Sequence, residues 1–108
     1  MNGESNYLTV VAPLWQEHRY APYPDGLRRK DLAGIGMVEL DFYTAGCVSA
    51  FLHNGGSLDA ERHRILDDCI ADLDQVLPLI NEPDDLAYFQ RLRRLAQLVS
   101  DSVPNSTP

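Results

Sequence analysis

His63 and Asp67 stand four residues apart, Asp74 lies seven beyond Asp67, and Asp68 and Asp72 form a second four-residue pair. On a helix these spacings return to one face, and an imidazole among carboxylates is the material of a metal site or of acid and base catalysis. A plainer account fits the same residues. If the segment pairs antiparallel with the one after it, turning near residue 82, Asp74 falls level with about residue 90 and Asp68 with about residue 96. Arg91 and Arg94 are close to those levels. Cross-helix ion pairs on a solvated face, each worth roughly 0 to 1 kcal/mol, then account for the charges. The first alternative is a surface for a protein partner. Metal binding or catalysis by His63, Asp67 and Asp74 is the second. We assign no catalytic, cofactor-binding or metal residue, and take Asp67, Asp68, Asp72 and Asp74 as an acidic ridge that a partner can use.

Cys47 and Cys69 invite a redox reading. A hairpin turning between residues 55 and 56 sets Cys47 level with residue 64, so the two thiols are displaced by about five residues, or roughly 7.5 Å along the axis. That exceeds the usual Cα separation of a disulfide, and His53 and His63 lie a turn or more from either thiol. Two buried small side chains are expected. Gly34-Ile35-Gly36 has neither the third glycine nor the preceding strand of a phosphate-binding loop.

The last group with chemical potential is Trp15, His18, Tyr20 and Tyr23, followed by Arg28, Arg29 and Lys30. Aromatics interleaved with cations suit single-stranded nucleic acid or an acidic peptide. The chain as a whole argues against nucleic acid: 16 acidic residues against 9 basic ones give a charge of −7. Residues 57–86 alone hold nine acids and two arginines, and the remainder is close to neutral. Such a field repels phosphate and favours a basic partner. The aromatics are expected either to fold back over the domain or to reach a protein partner, with Trp15, Tyr20 and Tyr23 as the candidate anchors.

What positions these residues is a single domain of 108 residues, 44% of them apolar, ample for one core without disulfides or a structural metal. No secretory signal is recognisable, and Glu39 and Asp41 interrupt the longest apolar run, Leu32 to Leu52, at a cost of roughly 2.5 kcal/mol or more each in a bilayer. We expect a cytoplasmic protein with no membrane contact. Residues 1–6 and 104–108 read as untethered ends. Residues 7–34 read as an arm: Tyr7 to Trp15 is too short for its period to decide and contains Pro13, while Pro22, Pro24 and Asp25-Gly26 mark a loop.

Three helices follow, over about residues 35–54, 58–80 and 83–102. Met37, Leu40, Thr44, Cys47 or Val48, and Phe51 form the first stripe, ended by Gly55-Gly56. Gly46 within it suggests close approach of another backbone. Ser57 is placed to cap the second helix, whose stripe runs through Leu66, Cys69, Leu73 and Val76, with Pro78 ending it near residue 77. The third starts at Pro83, with Asn81 or Glu82 as cap, and its seam is Leu86, Phe89, Leu92, Ala96 and Val99. The fold expected is an all-α antiparallel three-helix bundle with an irregular N-terminal arm, able to associate as a homodimer. The function expected is non-catalytic protein–protein binding, as a subunit, adaptor or immunity- or antitoxin-type inhibitor. The alternative is a domain for a small ligand or metal, its pocket completed by dimerisation.

Overall fold

The computed structural model describes residues 3–103, with side chains from residue 9. Among them are four α-helices and one two-residue β-hairpin: α1 (Gly3–Arg19), β1 (Asp31–Leu32), β2 (Ile35–Gly36), α2 (Met37–His53), α3 (Ala60–Val76) and α4 (Pro83–Ser102). The mostly helical expectation holds, but the count of three does not. The first half of the presumed arm is α1. Residues 3–6, expected to be untethered, belong to it, whereas residues 1–2 and 104–108 lie outside the described part. Pro13 sits inside this helix, where the lost hydrogen bond and ring clash cost about 3 kcal/mol. Burial outweighs that cost. Val11 and His18 are buried, and Leu14 and Trp15 pack on the core, at the three- and four-residue steps of a helix face.

The helices alternate in direction. Asp74 meets Arg93 and Asp67 meets Ser100, so α3 and α4 run antiparallel. His18 meets Arg91 while Val11 joins the cluster of Ala96 and Val99, so α1 is also antiparallel to α4. Met37 and Leu40 share a cluster with Tyr88 to Leu92, and Val48 and Phe51 share one with Leu95 to Val99, so α2 runs with α4. α4 therefore touches the other three helices, and its seam of Phe89, Leu92, Leu95, Ala96 and Val99 is wholly buried. The core divides into two clusters, one at each end. The loop after α1 closes the second of them with Leu27, Tyr23, Leu32 and Ile35.

Local chemistry explains the boundaries. Ala33 (φ 54°) and Gly34 (φ 76°) turn the β-hairpin, with the two successive positive φ values that a tight two-residue connection requires. Ile35 and Gly36 thereby belong to the hairpin, and α2 starts two residues later than its periodicity suggests. At its other end the Gly56 N–H donates to Phe51 O and the Gly55 N–H to Leu52 O, the pattern of a Schellman stop. Asp59, not Ser57, caps α3: its carboxylate accepts the Arg62 N–H at 2.8 Å, while Ser57 Oγ donates to Asn54 O. Leu77–Leu79 tightens into a 3₁₀ turn at Pro78, and Pro83 occupies the first turn of α4 behind Glu82, whose side chain makes no cap bond.

Candidate functional site

The acidic ridge is two surfaces. Asp67 and Asp74 point along α3 towards α4, where Arg93 grips Asp74 through two bonds of 2.6 and 3.2 Å. The Arg93 guanidinium holds the Asp74 carboxyl below the usual carboxylate range, and Asp74 raises the Arg93 pKa in return. Asp68 and Asp72 lie on the α2 side, beside Tyr43, Ile65 and Cys69. The cross-helix ion pairing expected of the whole ridge is thus present at Asp74 alone, and with Arg93 in place of the expected Arg91 or Arg94. Arg91 is spent on His18 and Glu17, and no cation stands within 4 Å of Asp68 or Asp72 among the described residues.

His63, Asp67 and Asp74 do not converge. His63 and Asp67 meet at Ser100, whose Oγ donates to Asp67 Oδ1 at 2.8 Å and lies 3.2 Å from His63 Nε2. Serine, histidine and aspartate are the ingredients of a nucleophilic triad, but their order here is wrong for one. The serine proton goes to the carboxylate, so Nε2 must donate to Oγ and cannot act as the base that deprotonates it. The three residues form a polar tie between α3 and α4. Asp74 is occupied by Arg93, and no group of three potential ligands gathers among the described residues.

The aromatic residues ahead of the hairpin are divided in the same way. Tyr23 packs inward, its ring edge-on to Tyr88 (5.6 Å) and Phe89 (6.0 Å), with its hydroxyl donating to Leu27 O. Burial pushes its phenol up to about 12. Trp15 is half-buried in a cleft of about 370 Å³ between α1 and α2, with Arg19, Ser49 and His53. Only Tyr20 projects, 76% exposed, with the Arg19 guanidinium 5.2 Å from its ring centre. α1 packs on α4 and α2, whereas Asp68 and Asp72 line the opposite side of α2, so the proposed ridge and anchors do not form one continuous surface.

His18 is the buried centre of a polar cluster that periodicity alone did not reveal. Its ring lies 4.4 Å from that of Tyr88; Arg91 Nε donates to its Nδ1 at 3.0 Å; and Tyr88 donates to Asp41 Oδ1 at 2.9 Å. With Nδ1 accepting, the neutral ring carries its proton on Nε2, which has no hydrogen-bond partner and lies 3.9 Å from Asp41. Burial, followed by the Asp41 charge, pushes the Tyr88 phenol well above its ordinary value. The cluster fastens α1 to α2 and α4.

The surface that the sequence reading missed lies on the outside of α2. Val38 (43% exposed), Phe42 (70%) and Tyr43 (56%) face solvent, with Ile65 of α3 (37%) across from them. Two adjoining clefts run between the helices. One, of about 240 Å³, is lined by Phe42, Tyr43, Gly46, Cys47, Arg62 and Ile65, and the other, of about 300 Å³, by Tyr43, Ile65, Asp68, Cys69 and Asp72. Gly46 is not a backbone contact: a Cβ built there meets no atom within 4 Å, and the glycine leaves a notch in the wall. The thiols behind the groove are free and buried. Burial pushes Cys47 up to about 11 and raises Cys69, to which Asp72 and Asp68 add. Arg62 is the one cation lining either cleft, and Asp59 neutralises it at 2.6 Å. The available signal was the run Met37 to His53, in which large apolar residues fall on more than one side of the helix and the only acids are Glu39 and Asp41. Two adjacent aromatics cannot both share a face with Leu40, Thr44 and Cys47.

Compared with family models, curated proteins and solved structures, the chain matches none of them.

Proposed function

We propose that this chain is a small, acidic, non-catalytic binding protein that acts on a basic protein partner as a subunit, adaptor or inhibitor. One observation carries the reading: α2 buries one apolar face in the core and leaves Val38, Phe42 and Tyr43 exposed on its other side, with no covering element among the described residues. Large apolar side chains left exposed side by side mark an interaction surface, and aromatic residues supply much of the energy at protein interfaces. The charge of −7 adds long-range attraction for a basic protein and faster encounter.

The test is a native pull-down with the tagged chain, analysed by mass spectrometry and metal analysis, beside a Phe42→Ser/Tyr43→Ser bait. Both positions are largely solvated, so the fold should survive the exchange. A stoichiometric basic protein retained by the natural chain and lost by the double variant is the expected result. Stoichiometric bound metal with no partner, or a partner indifferent to the two substitutions, would refute the reading.

A further inference from the structure

We infer that the groove between α2 and α3 is a docking site for a basic amphipathic helix, which seats apolar side chains against Phe42, Tyr43, Gly46 and Ile65 and places Lys or Arg on Asp68 and Asp72. This rests on the binding reading above and adds the place and the chemistry of the partner. The groove has the dimensions of such an occupant. From Arg62 to Asp72 it follows ten residues of α3, roughly 15 Å at 1.5 Å per residue, or about three helical turns. Its clefts of about 240 and 300 Å³ lie at or below the lower end of small-molecule sites. The notch at Gly46 admits a side chain closer to the α2 backbone than any other residue would allow.

Charge selects the occupant. Asp68 and Asp72 are like charges one turn apart, an arrangement that costs a few tenths of a kcal/mol in a helix, and no cation of the described chain comes within 4 Å of either, Arg64 being the nearest along α3, one turn before Asp68. Arg62, at the other end, is already paired with Asp59. Apolar contact at one end and uncompensated carboxylates at the other match a helix with apolar residues at i and i+3 or i+4 and a basic residue about two turns on. A second copy of this chain is a poorer occupant. A two-fold interface would bring two Asp68–Asp72 pairs, on two chains of charge −7, into the same contact.

The probe is a fluorescein-labelled 18-residue peptide of leucine and lysine, with leucines at helical spacing, set against its leucine and glutamate counterpart and followed by anisotropy across a salt series. The lysine peptide should bind the natural chain at least tenfold more tightly than the glutamate one. Gly46→Leu, whose Cβ meets no atom within 4 Å and whose branch enters the notch, should weaken binding at least tenfold with no fall in melting temperature. Asp68→Asn/Asp72→Asn should weaken it and flatten its salt dependence, while Asp84→Asn/Asp101→Asn on α4, outside the groove, should change it by less than twofold. Equal binding of the two peptides, indifference to Gly46→Leu, or equal effects of the two asparagine pairs would overturn the proposal. So would sedimentation showing a dimer that Gly46→Leu dissociates. A Phe42-dependent natural partner recovered alongside failure of the lysine peptide would sink the groove chemistry and leave the binding reading standing. Loss of that partner dependence sinks the broader reading by itself.

Discussion

Tyr20 and Tyr23 are three residues apart in one loop, and the structure gives them opposite fates, so truncating each in turn tests how that loop is held. Tyr23→Ala removes two edge-to-face contacts, at 5.6 Å to Tyr88 and 6.0 Å to Phe89, each worth about 0.5–1.5 kcal/mol beyond the area buried. It also removes the hydroxyl bond to Leu27 O, which at 3.3 Å belongs at the weak end of about 0.5–1.5 kcal/mol. A fully buried aromatic costs about 3–5 kcal/mol on truncation, and Tyr23 is half-buried, so about 2–3 kcal/mol is expected. At roughly 4 °C per kcal/mol for a domain of this size, the melting temperature should fall by about 8–12 °C.

Tyr20→Ala should behave differently. Its ring is 76% exposed and its ring contact among the described residues is with the exposed Arg19, an interaction worth about 0.5 kcal/mol. A shift within about 2 °C is expected. Tyr23→Phe separates ring from hydroxyl and should cost no more than about 1 kcal/mol. The assay is thermal unfolding followed by circular dichroism at neutral pH, without any partner. If Tyr20→Ala melted as low as Tyr23→Ala, or Tyr23→Ala melted with the natural chain, the packing of the loop on α4 would be refuted. A partner would then have Tyr23 available as an anchor.

Gly46→Ala should raise stability by about 1 kcal/mol, because the added methyl meets open space in a helix interior; a fall in melting temperature would reveal a backbone approach that the structure excludes. Leu73→Ala and Leu92→Ala, both wholly buried, should each cost about 2–5 kcal/mol, and an unchanged melt for either would contradict its place in the core. Alkali should unfold the protein. Tyr23 and Cys47 are pushed up to about 12 and 11, and Tyr88 is raised further, so the folded chain holds these protons more tightly than the unfolded one. The stability they contribute is complete below about pH 8.5 and is lost as pH climbs through about 11–12. The Tyr23→Phe and Tyr88→Phe variants should each lose a share of the 295 nm absorbance that appears late and together with loss of helix; Tyr23 or Tyr88 titrating near pH 10 in a folded chain would refute this.

What sequence periodicity could and could not reveal follows from how each helix is buried. α3 and α4 each have one apolar stripe and one charged face, so Leu66, Cys69, Leu73 and Val76, and Phe89, Leu92, Ala96 and Val99, announced themselves and are buried. The stop at Gly55-Gly56 and the break at Pro78 were equally readable, because each depends on backbone chemistry within a few residues. α1 was hidden by Pro13, a local penalty overridden by contacts with residues far along the chain, such as His18 with Arg91, 73 positions away. Propensity cannot see such contacts. The caps show the same limit: Ser57 and Asp59 are both good cap residues, and the choice fell to Asp59, whose carboxylate reaches the Arg62 N–H.

α2 was hidden for the opposite reason. Its inward residues, Met37, Leu40, Thr44, Cys47, Val48 and Phe51, were identified correctly, but Val38, Phe42 and Tyr43 make a second apolar face. Two opposed apolar faces cancel in any periodic measure, so the helix reads as merely hydrophobic and its outer side carries no distinct signature. The acidic ridge failed for a related cause. Asp67, Asp68, Asp72 and Asp74 look equivalent along the chain, yet 100° of helical rotation between neighbours sends two of them towards Ser100 and Arg93 and two towards Tyr43 and Ile65. Among the described residues, only the second pair lacks a hydrogen-bond or ion-pair partner. The carboxylates with no cation within 4 Å among the described residues are therefore those beside the exposed Tyr43 and Ile65, and that coincidence places charge and apolar surface on one side of the fold.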